Sequence, residues 1–420
     1  MILRLPYGKE GHLEAAIDEA RIAGIIEPNR VPIGDEEEVI RRALEHPFGS
    51  PRLGEFLAGA RDVLVIVNDQ TRPTPTARVL DFLEPELAGR DVSFIVATGA
   101  HRAPTPEEYV QIFSERHYAR CRDRIFVHDA RRSEEMVYLG TSKNGTEMRV
   151  NRRGVEADRI VIISSVEPHY FAGYTGGRKS FLPGIAAFDT IEQNHKLALR
   201  REASALRLEG NPVHEDMIDA LSTVKKEIFA INTVLDRDHR IYAAAAGDIY
   251  RSLEPAVARA NEVFVAEIPR KADIVISVVK FPSDIDLYQA QKGIDNAKYA
   301  LKEGGILLLV AKCRMGIGDE SFARLLGSAG SPADALRRIE EGFVLGYHKA
   351  AKMAEIGLWA QVWGVTDLDP AFMESVFIRP FAELQGAVDA ALAEKGPDAS
   401  VLVLMDGSLT IPVVRDQARR

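Results

Sequence analysis

The sequence predicts an α/β protein made of two α/β domains, with parallel-rich sheets and an active-site cleft between the domains. Short, mostly apolar runs alternate along the chain with longer helical patterns, which is typical of parallel strands covered by helices. Polar, turn-rich clusters follow several of the runs directly. In open parallel sheets ligands bind beyond the carboxyl ends of the strands, and clefts between domains are favoured small-molecule sites.

The strands fall into two sets, and each set predicts one domain. The first set comprises 63–67, 92–96, 125–127 and 160–163, with helices expected at 76–87 and 105–114. The second comprises 274–279, 306–310, 362–365 and 401–404, and a helix over 252–268 leads into it. A boundary near 265–272 therefore gives an N-terminal domain, 1–268, and a C-terminal domain, 269–420.

Composition excludes several classes of function. The 420 residues carry a net charge of −9, which disfavours general nucleic-acid binding and attraction to anionic membranes. Cys121 and Cys313 lie far apart, so they form neither a disulfide framework nor a zinc-finger pattern. No apolar run approaches the roughly 18 residues of a membrane span, and the N-terminus lacks the apolar core of a signal peptide. We therefore expect a cytoplasmic protein.

Four polar clusters follow the predicted strands. Because the carboxyl ends of parallel strands meet at one edge of a sheet, we expect the first three clusters to lie at one crevice. The fourth cluster is expected to approach from the second domain. His101 and His169 both follow strands, and a facing pair of histidines suits a reaction that moves protons in either direction. The clusters are 68–73, with Asp69, Thr71 and Arg72; 97–102, with His101; 164–169, with His169; and 280–292, with Tyr288, Gln289 and Lys292.

The stretch from His169 to His195 is the richest in chemistry. Between these histidines a glycine-rich turn, containing Gly176 and Gly177, leads to Lys179. Glycines let backbone amides approach an anion, and lysine can pair with phosphate or act as a nucleophile. A neutral imidazole can bind a soft transition metal. The stretch indicates a site for a phosphorylated, metal-bearing organic group.

Simpler interpretations compete with this one. A nucleotide P-loop requires glycine where Arg178 stands, and no Gly-x-Gly-x-x-Gly follows an early strand as a nicotinamide dehydrogenase would require. A self-sufficient zinc site is unsupported, because His169 and His195 are far apart and no His-x-x-x-His exists. A plain glycine turn with a solvated Lys179, and a surface role for Arg72, also remain open.

Taken together, the clusters resemble the nickel-dependent lactate racemase family. The resemblance spans nearly the whole chain, and the order of the motifs is kept. Its residues are Asp69-Gln70-Thr71-Arg72-Pro73, Thr98-Gly99-Ala100-His101-Arg102, Glu167-Pro168-His169 through Gly176-Gly177-Arg178-Lys179, Asn194-His195, and Tyr288-Gln289 with Lys292.

The resemblance implies a nickel pincer nucleotide, a pyridinium-3,5-bisthiocarboxylic acid mononucleotide carrying nickel. The cofactor would be covalently attached to Lys179, with His195 as the protein ligand of the metal. It would be absent from protein made without the maturation enzymes. The resemblance further implies that the N-terminal domain binds the cofactor and that a segment near 288–304 crosses back to the cleft. The other implied cofactor-binding residues are Asp69, Thr71, Gly176, Gly177 and Arg178.

The implied reaction is inversion at C2 of a 2-hydroxy acid by reversible hydride transfer to the cofactor, through a 2-keto acid. His101 and His169 would be the catalytic acid/base pair. The substrate-binding residues would be Arg72, Tyr288, Gln289 and Lys292. The implied partners are a small 2-hydroxy acid and the enzymes that build the cofactor, with no nucleic acid and no membrane.

Three points stay open from the sequence. The alternative function is a non-catalytic protein that binds a phosphorylated ligand or the cofactor itself. The sequence does not select one hydroxy acid or an oligomeric state. Trp359 and Trp363 are both candidates for a tryptophan that lines the pocket.

Overall fold

The computed structural model describes residues 1–415. Its strands are β1 (Ile2–Tyr7), β2 (Gly11–Ala16), β3 (Ile22–Ile26), β4 (Asp62–Asn68), β5 (Asp91–Ala97), β6 (Ile125–Val127), β7 (Met136–Thr141), β8 (Glu147–Asn151), β9 (Arg159–Ser165), β10 (Pro168–His169), β11 (Gly173–Tyr174), β12 (Ile228–Leu235), β13 (Ile241–Asp248), β14 (Val265–Ile268), β15 (Ala272–Val278), β16 (Leu301–Val310), β17 (Gln361–Val365), β18 (Ile378–Pro380), β19 (Val401–Leu404) and β20 (Ile411–Val414).

The α-helices connect these strands. They are α1 (Glu36–Glu45), α2 (Leu53–Phe56), α3 (Thr76–Leu87), α4 (Pro106–Cys121), α5 (Arg153–Glu156), α6 (Phe188–Lys196), α7 (Pro212–Leu221), α8 (Leu253–Phe264), α9 (Leu287–Ala297), α10 (Glu320–Ser328), α11 (Pro332–Glu341), α12 (Tyr347–Gly357), α13 (Pro370–Ser375) and α14 (Leu384–Lys395).

The chain forms two units, the first of which is Arg30–Val263. It is built on a six-stranded sheet in the order β13-β12-β9-β4-β5-β6. All pairings in this sheet are parallel except that of β13 with β12, which are joined by a short turn. Val63, Val65 and Val67 point into a core shared with α1, α3 and α4, and each is fully buried. Helices on such a sheet bury the continuous apolar runs that the sequence shows.

The order of strands creates a switch point between β4 and β9. From β4 the chain moves outward to β5 and β6, then returns to the other side of β4 to form β9 and β12. Connections that leave in opposite directions open a crevice at the carboxyl ends of the two central strands. The residues that follow β4 and β9 therefore meet at this crevice.

The second unit consists of residues 1–29 together with the residues from 264 onward, and we call it the split unit. Its six-stranded sheet has the order β18-β17-β16-β15-β19-β3, and every pairing is parallel. The core beside it includes Leu5, Ile276, Leu308 and Trp363, all less than 2% exposed. Two smaller sheets, β1-β2 and β14-β20, complete this unit.

The α/β prediction is confirmed, including all eight predicted strands, within one or two residues except at the start of β16, which begins at Leu301. One detail was wrong. The helix predicted over 252–268 ends at Phe264, because 265–268 forms β14 and pairs with β20. The domain ranges 1–268 and 269–420 stay a prediction; by its contacts the chain groups the first 29 residues with the split unit, because β3 joins β19. The last five residues of the predicted C-terminal domain lie outside the described chain.

No helix among residues 1–415 is long and apolar enough to cross a membrane.

Asp273 connects β15 to β19 and supports a prediction about acid stability. Its Oδ2 accepts hydrogen bonds from the backbone N–H and the hydroxyl of Ser400, at 3.0 and 2.6 Å, and Lys302 Nζ lies 2.9 Å from its carboxylate. Burial alone would raise the pKa of Asp273, but these partners lower it from 3.8 to about 2. The contribution to stability is therefore present above pH 4 and is lost as the pH falls through about 2.

We expect Asp273→Asn to lower the free energy of unfolding at neutral pH by about 1 kcal/mol, after allowance for solvent screening. The difference from the unmodified protein should shrink between about pH 4 and pH 2, as urea unfolding curves at several pH values would show. The control is Asp123→Asn, at a carboxylate whose side chain is 91% exposed. A loss of stability that is the same at every pH would contradict the prediction.

Candidate active site

Asp69 lies directly after β4 and organises one side of the crevice. Its Oδ2 lies 2.7 Å from His101 Nδ1, and its Oδ1 accepts hydrogen bonds from the Thr71 backbone at 3.2 Å and the Thr71 hydroxyl at 2.6 Å. Burial alone would raise the pKa of Asp69, but the bonds from His101 and Thr71 and the charge of Arg72 lower it. Asp69 is therefore a carboxylate, so His101 Nδ1 carries the proton in this bond.

This bond sets the tautomer of His101. With the proton on Nδ1, the neutral ring has a lone pair on Nε2 and can accept a proton there. The side chain of His101 is 52% exposed, whereas that of Asp69 is 4% exposed. Thr98 fixes the backbone of this loop, because its carbonyl accepts the N–H of His101 at 2.9 Å. The buried carboxylate thus orients an accessible base.

Arg72 and Glu167 join the ends of β4 and β9. Arg72 Nη1 donates to Glu167 Oε1 at 2.7 Å, and their side chains are 26% and 14% exposed. The partly buried pair holds a guanidinium at the switch point, where it has donors left over for an anionic ligand. Glu167 belongs to the motif that contains His169, and the sequence alone indicated no role for it.

Phe171 brings three of the predicted residues together. Its ring centroid lies 4.5 Å from that of His169, 5.0 Å from that of His195 and 5.6 Å from Lys179 Nζ. Phe171 is 2% exposed, so it forms a buried hub rather than part of the surface. The sequence motifs indicated no role for Phe171. Its position between His169 and the glycine turn was the only sign that it belongs to the site.

The two histidines at this hub, His169 and His195, both have neutral rings, for different reasons. His169 Nδ1 accepts the Ala172 N–H at 3.3 Å, so the proton of the neutral ring lies on Nε2. Burial lowers the pKa of His195 to about 3, and the positive charge of Lys179 lowers it as well. His195 is therefore a neutral imidazole at physiological pH, which is the form that binds metal ions.

Two neighbouring side chains, Leu253 and Asn232, pack directly against the backbone of the glycine turn. Gly176 has φ of +120°, and a Cβ there would lie 2.7 Å from Leu253 Cδ1. The N–H of Gly177 donates to Asn232 Oδ1 at 2.9 Å, and Asn232 is fully buried on β12. The turn therefore requires glycine at 176, and a buried amide fixes its position. Asn232 lay outside every predicted cluster.

Arg178 was predicted to bind the cofactor, and its guanidinium lies among carbonyl oxygens of its own loop. Its Nη atoms donate to the carbonyl oxygens of Thr175, Ala172 and Tyr174 at 2.9, 3.1 and 2.9 Å. The side chain is 1% exposed, and burial lowers its pKa to about 9. The three carbonyls satisfy most of its donors, so Arg178 acts as an internal clamp of the loop that carries Lys179.

Tyr288, Gln289 and Lys292 lie together in the split unit, in the first turns of α9. Tyr288 and Lys292 are four residues apart and share one face of the helix. Asp286 caps the helix by accepting the N–H of Gln289 at 2.7 Å. Lys349 Nζ lies 3.5 Å from the centroid of the Tyr288 ring and also donates to the Tyr288 carbonyl. The remaining predicted residues all lie in Arg30–Val263.

Neither candidate tryptophan lies near α9's first turns. Trp363 is on β17, is 1% exposed and stacks on Phe381 with centroids 5.0 Å apart. The carbonyl of Trp359 accepts the N–H of Gly304 near the start of β16, which is the amino edge of the sheet. The residues that lead into α9 follow β15 at the carboxyl edge.

Within residues 1–415, no group of three or more His, Cys, Asp or Glu side chains is arranged to hold a metal ion.

Comparisons with known proteins agree with this architecture. The sequence matches the family described as lactate racemase N-terminal domain over residues 7–206 and that described as lactate racemase C-terminal domain over 268–412. Lactate racemase from Thermoanaerobacterium thermosaccharolyticum is 34% identical over 96% of this chain and 97% of its own. Lactate racemase from Lactiplantibacillus plantarum is 32% identical, with the same coverage.

Two solved structures are also similar. The lactate racemase apoprotein from T. thermosaccharolyticum superposes with a TM-score of 0.91 at 32% identity, over 98% of this chain and all of that one. A Thermotoga maritima protein has a TM-score of 0.68 at 19% identity, over 92% of this chain and all of its own, and shows the fold alone.

The fold, the site and these relatives define a cofactor-dependent α/β enzyme of the isomerase class, a racemase. The chain belongs to the lactate racemase family.

The role of Arg178 can be tested in protein that lacks cofactor. Lysine retains the charge but cannot bridge three carbonyl oxygens, so Arg178→Lys should lower the free energy of unfolding by about 2–4 kcal/mol. The measurement is denaturant unfolding, with Arg153→Lys as control, because Arg153 stacks on Phe126 in the same unit. Unchanged stability combined with loss of cofactor from the loaded protein would instead support the predicted cofactor contact.

Proposed function

We propose that this chain racemises lactate or a related 2-hydroxy acid by reversible hydride transfer to a nickel pincer nucleotide attached to Lys179. The observation that carries the proposal is the cluster around Phe171, in which Lys179, His169 and His195 share one buried ring. The relatives are lactate racemases, which favours lactate as the first substrate to test.

The residues present fit the proposed cofactor. His195 offers a neutral imidazole, and the organic group carries the other donors to nickel, so one protein ligand is sufficient. Lys179 provides the amine for covalent attachment, and its charge already acts on His195. The glycine turn at Gly176 and Gly177 packs closely against Leu253 and Ala230, and so holds the loop that carries Lys179 in place. When bound, the cofactor supplies a reversible acceptor for the hydride at C2.

His101 and His169 are the proposed acid/base pair. In their neutral states they differ in whether Nε2 carries a proton, since His101 donates a hydrogen bond from Nδ1 to Asp69 and His169 accepts one at Nδ1. His101 is ready to take the hydroxyl proton of one enantiomer, and the carboxylate of Asp69 stabilises the imidazolium that forms. His169 is the proposed acid/base for the opposite enantiomer. To take that hydroxyl proton at Nε2, its own proton must first move to Nδ1, which ends the contact with the Ala172 N–H.

Arg72 is the proposed anchor for the substrate carboxylate, and Tyr288, Gln289 and Lys292 are the other proposed substrate-binding residues. Arg72 uses one donor on Glu167, which limits its rotation and leaves other N–H groups for a bidentate contact. A fixed guanidinium would select substrates with a carboxylate next to the reacting carbon. In this proposal the unit Arg30–Val263 binds the cofactor and holds the proton-transfer groups.

Holoprotein made together with the cofactor-building enzymes tests the proposal directly. We expect conversion of either lactate enantiomer to the racemate, one nickel per chain and added mass on Lys179. His101→Ala and His169→Ala should each lower the rate by about 100-fold or more while nickel is retained, because general acid–base catalysis contributes about that much. Lys179→Ala should abolish covalent attachment.

Chiral chromatography and intact mass measure these outcomes, and His12→Ala, at a histidine on β2, is the matched control. A nickel-loaded protein that turns over none of a panel of 2-hydroxy acids would instead be the non-catalytic binding protein. Unmodified Lys179 without nickel, in protein made alongside the same enzymes, would reject the proposed cofactor.

The anchoring role of Arg72 has its own test. Arg72→Lys keeps the charge but loses the planar pair of donors, so we expect KM to rise at least about tenfold with a smaller change in kcat. Steady-state kinetics from each enantiomer provide the measurement. Arg102→Lys is the control, because Arg102 pairs with Glu108 on α4. An unchanged KM would show that Arg72 does not hold the substrate.

A further inference from the structure

Asp216 is a completely buried carboxylate outside every predicted cluster. It lies on α7 and is 0% exposed. Its Oδ1 accepts a hydrogen bond from the Ser142 hydroxyl, and its Oδ2 accepts from the Thr146 hydroxyl and from Asn194 Nδ2, both at 2.8 Å. Among the described residues it forms no ion pair with a lysine or arginine. Burying such a group is costly, and here three hydrogen bonds offset the cost.

The three residues that donate to Asp216 come from two parts of the unit, a hairpin turn and the helix α6. Ser142 and Thr146 lie in the turn between β7 and β8, and Asn194 is on α6. Asn194 is also fully buried, and its Nδ2 donates to the Val213 carbonyl at 3.2 Å as well. Asp216 therefore ties one hairpin turn and two helices together through a single side chain.

Asn194 directly precedes His195, and this fixes the direction in which His195 points. Successive residues on an α-helix are rotated by about 100°, so holding Asn194 against α7 turns His195 toward a different neighbour. That neighbour is the Phe171 ring. The α6 helix is also bound to β8 through Thr190, whose hydroxyl donates to the Glu147 carbonyl at 2.6 Å, and through Gln193, which accepts the Glu147 N–H at 2.8 Å.

Hydrogen bonds thus add to apolar packing in determining the rotation of α6 about its axis. Their strength falls steeply when donor and acceptor are misaligned. A ligand of a metal ion must be held within a fraction of an ångström, which is the precision such bonds provide.

We infer that Asp216 is a positioning residue for the metal ligand His195, acting through Asn194. The inference rests on the proposed function, because it concerns how firmly nickel is held. Among residues 1–415, Asp216 forms hydrogen bonds with Ser142, Thr146 and Asn194 and not with His195 or the proposed cofactor residues, so its effect passes through the orientation of α6.

The test measures nickel release from the holoprotein into a chelator, followed by elemental analysis. Asp216→Ala removes all three hydrogen bonds, and we expect nickel release about 10–100-fold faster, the usual effect of losing an outer partner of a metal ligand. Asn194→Ala cuts the same link from the helix side and should have a similar effect. Asp216→Asn can still accept from Thr146 and Asn194 while its amide meets Ser142, so it should release nickel nearly as slowly as the unmodified protein.

Asp236→Ala is the matched control, because Asp236 is another buried carboxylate, 4% exposed, in the turn between β12 and β13. It should lower the unfolding midpoint without changing nickel release. The inference is overturned if Asp216→Ala releases nickel at the unmodified rate, if Asp236→Ala releases it as fast, or if Asp216→Asn behaves like Asp216→Ala. Unmodified holoprotein that never holds nickel would instead overturn the proposed function.

Discussion

The buried guanidinium of Arg178 is the constraint on which the site depends. It draws together the carbonyl oxygens of residues 172, 174 and 175, and the carbonyl of Ala172 also accepts the Tyr174 N–H. A loop that crosses the inside of a protein needs such a partner, because its backbone cannot reach water. Once the loop is closed around Arg178, Lys179 and Phe171 have fixed positions, and His169 and His195 pack on the Phe171 ring.

Buried polar side chains hold this loop and the neighbouring helix α6 in place. Asn232 holds the turn from β12, and Asp216 holds α6 from α7. Each group accepts or donates in a fixed direction, so the reacting residues are set before any ligand arrives. The same arrangement separates their charge states, since burial keeps His195 neutral while Asp69 stays ionised. A protein of net charge −9 can thus present cations locally to an anionic ligand.

Part of this arrangement was readable from local sequence. Apolar runs predicted the central strands, and the rule that ligands bind at carboxyl ends predicted one neighbourhood for Asp69, Arg72 and His101. In the structure Asp69 contacts His101, and Arg72 lowers the pKa of Asp69. The resemblance of the motifs indicated the family, which the comparisons confirm. The roles of the individual residues, the cofactor and the substrate remain proposals. The motif could not tell a ligand-binding arginine from a structural one, so the prediction for Arg178 rested only on its place beside Lys179.

The sequence by itself determined the elements, because periodic burial is encoded in neighbouring residues. It also determined which residue types gather at strand ends. Only the tertiary structure decided that β3 joins β19, that Phe171 is shared by a lysine and two histidines, and that Asp216 reaches Asn194. These contacts join segments far apart in the chain, and their direction depends on how whole helices and sheets pack. Local patterns contain no information about that packing, so the partners of a buried polar group appear only when the chain is folded.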